Sequence, residues 1–192
     1  MRFAAITLAL ATPSLAQAAA WEIDPPDSYV AFSAKHLMVS TVRGEFTKVS
    51  GTFDLDDKDL TKSSIGVTID VASIDTREAK RDGHLRSPDF FDVANHPSIT
   101  FQSKSIKKSG KGYKIAGDLT VRGVTKPVTL DVTSASAEMT DPWGGVRRAF
   151  SAKVSIKRSD FGMSWNKTLD KGGVLVSDEI AIQIELTLLK KK

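Results

Sequence analysis

Ile180-Ala181-Ile182-Gln183-Ile184-Glu185-Leu186-Thr187-Leu188 places a large aliphatic side chain at every second position. Strand side chains alternate between the two faces, so this run presents one unbroken apolar face and one small or polar face. On a helix the same residues would scatter around the whole circumference, with no dry side. The rhythm recurs upstream in Val30-Phe32-Ala34-His36, Ile65-Val67-Ile69-Val71 and Ile115-Gly117-Leu119-Val121. Val128-Leu130-Val132 and Phe150-Ala152-Val154-Ile156 repeat it, and Phe53-Leu55 and Ile99-Phe101 belong to two further segments. About eight strands are expected, near 28–36, 43–56, 62–74, 97–108, 111–122, 126–139, 146–158 and 178–190.

Turn chemistry separates these runs. Ser109-Gly110-Lys111-Gly112 and Arg122-Gly123-Val124-Thr125 read as hairpin tips, and Asp141-Pro142-Trp143-Gly144-Gly145 divides the sixth strand from the seventh. Helical pattern is scarce. Leu37 to Thr41 reads as a turn of helix. Asp75 to Phe91 reads as one or two short helices, with Ser73, Asp75 or Thr76 as the N-cap and Pro88 opening a new turn. Strands with one apolar face must hide it, either by closing into a barrel or by packing as two sheets; the pattern admits both. Small residues on the inner faces (Ala34, Gly51, Gly117, Ala152) leave room for a cavity, or ease sheet curvature around a filled core.

The N-terminus suggests a compartment. Arg2 is followed by an apolar run from Phe3 to Leu10 and by small-x-small patterns ending at Ala18 and Ala20. Residues 1–20 therefore read as a secretory signal peptide and residues 21–192 as one domain, its chain starting near Trp21. The net charge is +4, or +3 without Arg2. That mild excess suits an anionic head group or a membrane surface and decides nothing alone. The absence of cysteine excludes thiol catalysis, thiolate metal sites and a lipidated-cysteine anchor.

Several segments together resemble one family. They are Trp21-Glu22-Ile23-Asp24-Pro25 with Asp27-Ser28-Tyr29-Val30-Ala31-Phe32-Ser33, His36 to Phe46, Ser73-Ile74-Asp75-Thr76, Arg81 to Asp92, Gly117 to Val128, and Arg158-Ser159-Asp160-Phe161-Gly162-Met163. From about Trp21 to Leu189 the chain resembles the YceI family of periplasmic, lipocalin-like polyisoprenoid-binding proteins. The resemblance implies an all-β fold: a lipocalin-like eight-stranded antiparallel β-barrel with short helices near one end and an elongated apolar pore. It implies an isoprenoid ligand, either a polyprenyl phosphate or an isoprenoid quinone, that the protein would transport, store or shield, with stress as one occasion. One position departs: the family often has histidine before the serine where this chain has Asp27.

On this reading Val30, Phe32, Phe46, Phe53, Ile69, Phe101, Leu119, Val154 and Ile182 are the expected pore-lining residues, each equally explicable as plain core. His36, Arg43, Arg81 and His84 are the candidates for a ligand head group, with Arg81 and Asp82 read chiefly as loop-fixing ion pairs. His96, before Pro97, reads as structural. The three histidines show no metal-ligand spacing, and neither a Gly-x-Ser-x-Gly elbow nor a phosphate-binding glycine loop occurs. The expected protein is a binding protein without cofactor or metal, a monomer or homodimer, touching a membrane or a membrane protein transiently and not binding nucleic acid. The competing readings are an enzyme for a small apolar substrate inside the barrel, and a filled barrel that binds a partner.

Overall fold

The computed structural model describes residues 19–170 and 172–191. Twelve strands form one antiparallel sheet: β1 (Ala19–Ile23), β2 (Tyr29–His36), β3 (Ser40–Phe46), β4 (Val49–Leu55), β5 (Ser64–Asp70), β6 (Ile74–Asp75), β7 (Ser98–Ser109), β8 (Gly112–Val121), β9 (Val124–Ala135), β10 (Met139–Thr140), β11 (Val146–Lys157) and β12 (Glu179–Lys190). Among the described residues a single α-helix, α1, spans Ala79–Arg86. The ring β1–β4–β5–β7–β8–β9–β11–β12 closes on itself, because β12 pairs with β1 on one side and with β11 on the other. This is the closed eight-stranded barrel, and the two-sheet alternative falls away. The expected signal peptide falls almost wholly on residues 1–18, outside the described residues.

Of the four strands beyond the ring, β6 and β10 are two-residue additions on β3 and β11, and the other two come from interrupted strands. Pro25 and Pro26 lack the N–H groups that a strand needs. The chain there turns through a 3-10 segment (Pro25–Asp27), dividing β1 from β2 while both stay on β12. Ser28 bridges the gap: its hydroxyl accepts from the Thr187 amide (3.0 Å) and donates to the Thr187 carbonyl (3.2 Å). The run expected as one strand over 43–56 divides likewise into β3 and β4. At Thr47 and Lys48 the backbone amides turn away to the Ser73 carbonyl and hydroxyl.

Expected and observed strands otherwise coincide within a few residues, with β1 the strand that the alternation did not supply. Two local expectations are corrected. Leu37 to Thr41 is not helical. His36-Leu37-Met38-Val39 is a tight β-turn closed by the Val39 amide on the His36 carbonyl (3.2 Å), and Ser40 already belongs to β3. The cap of α1 is Glu78, whose carboxylate accepts from the amides of Lys80 (3.0 Å) and Arg81 (2.6 Å). Ser73, Asp75 and Thr76 precede it.

Candidate ligand-binding site

The inner face of the barrel encloses a cavity of about 600 Å³. Every large aliphatic residue of the 180–188 run lines it: Ile180, Ile182, Ile184, Leu186 and Leu188. All nine expected pore residues, Val30, Phe32, Phe46, Phe53, Ile69, Phe101, Leu119, Val154 and Ile182, are also on its wall. They fall into two kinds. Val30, Phe46, Phe53, Ile69 and Phe101 are buried, while Phe32, Leu119, Val154 and Ile182 are only partly so.

One end is blind. Trp21, Phe53, Leu55 and Leu188 pack together there, and Trp21 and Leu188 are each only 1 % exposed. Outside this plug Arg147 ties the strands down, donating to Asp141 (2.7 Å) and pairing with Asp24. Asp27, where the family often has histidine, lies 3.8 Å from the same guanidinium and off the cavity wall. The departure therefore bears on an outer ion pair at the blind end.

The other end carries every ionisable group on the wall: Lys35, His36, Glu78, Lys80, Arg81, His84 and Arg158. Glu78 and Lys80 are solvent-exposed as well as lining, so the cavity reaches the surface beside α1. Of the four head-group candidates, His36, Arg81 and His84 meet here, but Arg43 does not. The alternation that points Val42 inward turns its neighbour Arg43 to the outer face, where it is exposed beside Ser33 and Gln183.

Arg81 and Asp82 fix the loop, though without the expected ion pair. Both converge on Thr76: the buried Asp82 carboxylate accepts from the Thr76 amide (3.0 Å) and hydroxyl (2.6 Å). Arg81 Nε donates to Thr76 Oγ1 (2.7 Å) and its Nη2 to the Thr76 carbonyl (2.8 Å). Arg86 adds donations to the carbonyls of Ala72 (3.0 Å) and Ile74 (2.8 Å). The helix is thus latched across the barrel end by side chains. His84 stands edge-on to Phe90 and Trp165, with Nε2 at 2.9 Å from Asp89.

Arg158 escaped the sequence reading. It is 5 % exposed, and its guanidinium donates to the carbonyls of Ser177, Met163 and Trp165. No carboxylate lies within ion-pairing distance of it among the described residues. Burial pulls its pKa down, and the nearby Asp178 charge opposes that pull. The only signal was an arginine at the end of an alternating run, which looks like any strand terminus. Among the described residues no cluster of His, Cys, Asp and Glu is placed to hold a metal ion.

The YceI-like domain model matches residues 21–188. The chain belongs to the YceI-like family. A UPF0312 protein of Serratia proteamaculans is 41% identical over 172 residues, covering 88% of this chain and 87% of the relative. One from Yersinia pestis is 40% identical over 176 residues, covering 91% and 89%. Among solved structures, Burkholderia cenocepacia BcnA superposes with a TM-score of 0.75 at 28% identity, covering 86% of this chain and 98% of that one. The Campylobacter jejuni YCEI protein gives 0.70 at 33%, covering 82% and 90%. A polyisoprenoid-binding domain from Saccharophagus degradans shares the fold, with a TM-score of 0.64 at 16% identity over 91% of this YceI-like chain and 99% of that domain.

Proposed function

We propose that this YceI-like protein is an exported, periplasmic, non-enzymatic carrier that holds one isoprenoid lipid, a polyprenyl phosphate or an isoprenoid quinone, by its hydrocarbon tail. The observation that carries this reading is the division of the wall: hydrocarbon and aromatic side chains at the blind end and along the barrel, ionisable groups only at the mouth. Hydrocarbon leaving water for such a slot gains roughly 0.8 kcal/mol per methylene-sized group. Chain ordering and the competing comfort of a bilayer cancel most of that gain, so fit to length should govern selectivity. A polar head at the mouth would meet His36, Arg81, His84 and the carbonyl-bound Arg158. The shared fold of the polyisoprenoid-binding domain from Saccharophagus degradans supports the ligand class. The charged and apolar pattern of residues 1–20 supports export, leaving residues 21–192 as the carrier domain. In this reading the barrel works as a monomer or homodimer.

Mass spectrometry of organic extracts from the purified protein tests the proposal. A stoichiometric polyprenyl lipid or quinone is expected. An empty protein that also fails to take up added isoprenoids would overturn it.

A further inference from the structure

The turn between β2 and β3 carries three consecutive apolar residues into solvent: Leu37, Met38 (59 % exposed) and Val39 (82 % exposed). Val174, also exposed, lies on the adjoining segment, where Gly173 packs against the stem of Met38. Four of the seven large exposed apolar residues described thus gather at one point. The backbone there is unusual too. Leu37 and Met38 take φ values of 54° and 62°, the left-handed conformation that such tight turns normally give to Asn and Gly. Two bulky apolar side chains in that conformation are held out at the expense of local comfort, a pattern associated with functional sites.

The tip is continuous with the cavity mouth. His36, immediately before it, lines the cavity, and the Leu37 amide donates to the carbonyl of Leu175, another lining residue (2.8 Å). Exposed Lys35 and Lys80 stand on the mouth, and exposed Lys167 lies on the segment paired with Leu175. The exposed acids nearby are Glu78, which caps α1, Asp89 at 2.9 Å from His84, Asp170 on that segment and Glu179 beside Ser177. A protruding apolar point with cations behind it matches the boundary of an anionic bilayer, where apolar side chains sink among the acyl chains and lysines meet the phosphates. A stable protein–protein interface would need about 800 Å² per partner, more than a few side chains on a turn supply.

We infer that the β2–β3 tip is a docking point for the surface of an anionic lipid bilayer, seating the cavity mouth against it. This deepens the carrier reading, yet its test needs no cargo. The purified protein is floated with phosphatidylcholine vesicles, and with vesicles in which about a third of the lipid is phosphatidylglycerol. It should rise with the anionic vesicles only, and less so at high salt. Val39→Asp should weaken that binding about tenfold, with thermal stability and cavity retention of a fluorescent apolar probe unchanged. Met38→Asn, which suits the left-handed backbone, should weaken it likewise without any cost in folding. The inference is overturned if the unsubstituted protein stays unbound, or if both variants float as it does. It is also overturned if Val39→Asp merely dissolves a homodimer that shows no vesicle binding, making the tip a contact between copies. Vesicle binding by a protein that retains no probe would uphold the docking point and count against the carrier reading.

Discussion

A methyl group added at Gly117 would lie 2.4 Å from the Gln102 carbonyl oxygen and 2.5 Å from the Phe101 ring. One at Gly51 would meet Phe53, and one at Gly44 would meet Phe32. These glycines therefore seat aromatic rings, and the cavity owes its volume to other positions. Gly117→Ala should cost about 1–3 kcal/mol, because the obstructing atom is backbone and cannot swing aside; urea denaturation would measure it. At the β2–β3 turn the sign reverses. Replacing Leu37-Met38 by Asn-Gly should stabilise the fold by about 1 kcal/mol, read as a raised denaturation midpoint, since those residues relax into the left-handed backbone. Residue-level roles were the least legible from sequence. Alternation placed Phe32, Leu119 and Ile182 on the inner face, but could not tell a ring stacked on a glycine from one bordering open space. Nor could it reveal that Arg158 folds under the strand end, because its partners are carbonyls brought in from residues 163–177.

Elements were far more legible, because each long strand carries its own period-two record. Where the reading failed, the backbone had a partner that no local pattern records. β1 is too short to declare itself, and Leu37-Met38-Val39 looked helical because nothing in it is a turn residue. The helix α1 is the element most dependent on side chains. Asp82→Ala would remove the acceptor for both the amide and the hydroxyl of Thr76, at a cost of about 1.5–3 kcal/mol for hydrogen bonds to a charged group. Hydrogen exchange should quicken across residues 76–91 while the β11–β12 ladder stays protected. The junction between β11 and β12 supplies a pH test. The Ser159 hydroxyl, donating to Asp178 at 2.7 Å, holds the Asp178 carboxyl below the ordinary range, with the Ser159 amide and the Arg158 charge assisting. A carboxylate whose folded pKa is depressed adds stability above its unfolded value near 3.9, and that stability is lost as pH falls through the folded value. The melting-temperature gap between the protein and Asp178→Asn should therefore be constant above about pH 5 and close as the pH falls below about 4.

For the whole molecule, closure was the step that alternation left open, and it follows from one strand. β12 joins β11 along its length and meets β1 and β2 on its other edge, so the ring needs residues from both termini. The family resemblance supplied what periodicity alone could not: a barrel, and a reason to expect it hollow. A cavity this dry predicts strong linkage between ligand and stability. Cargo at a hundred times its dissociation constant adds about 2.7 kcal/mol, or about 5–11 °C in a domain of this size; scanning calorimetry before and after delipidation would detect it. The plug of Trp21, Phe53, Leu55 and Leu188 has one further consequence. A tube open at both ends could stand between two membranes as a conduit, passing molecules straight through. A container sealed at its base has a single doorway for arrival and departure. In the proposed carrier role such a container would not bridge; it would have to let go of the donor, tumble and present the same doorway to the acceptor. Delivery by this barrel would then be a ferry crossing, limited by release and reorientation, with the tail first aboard and last ashore.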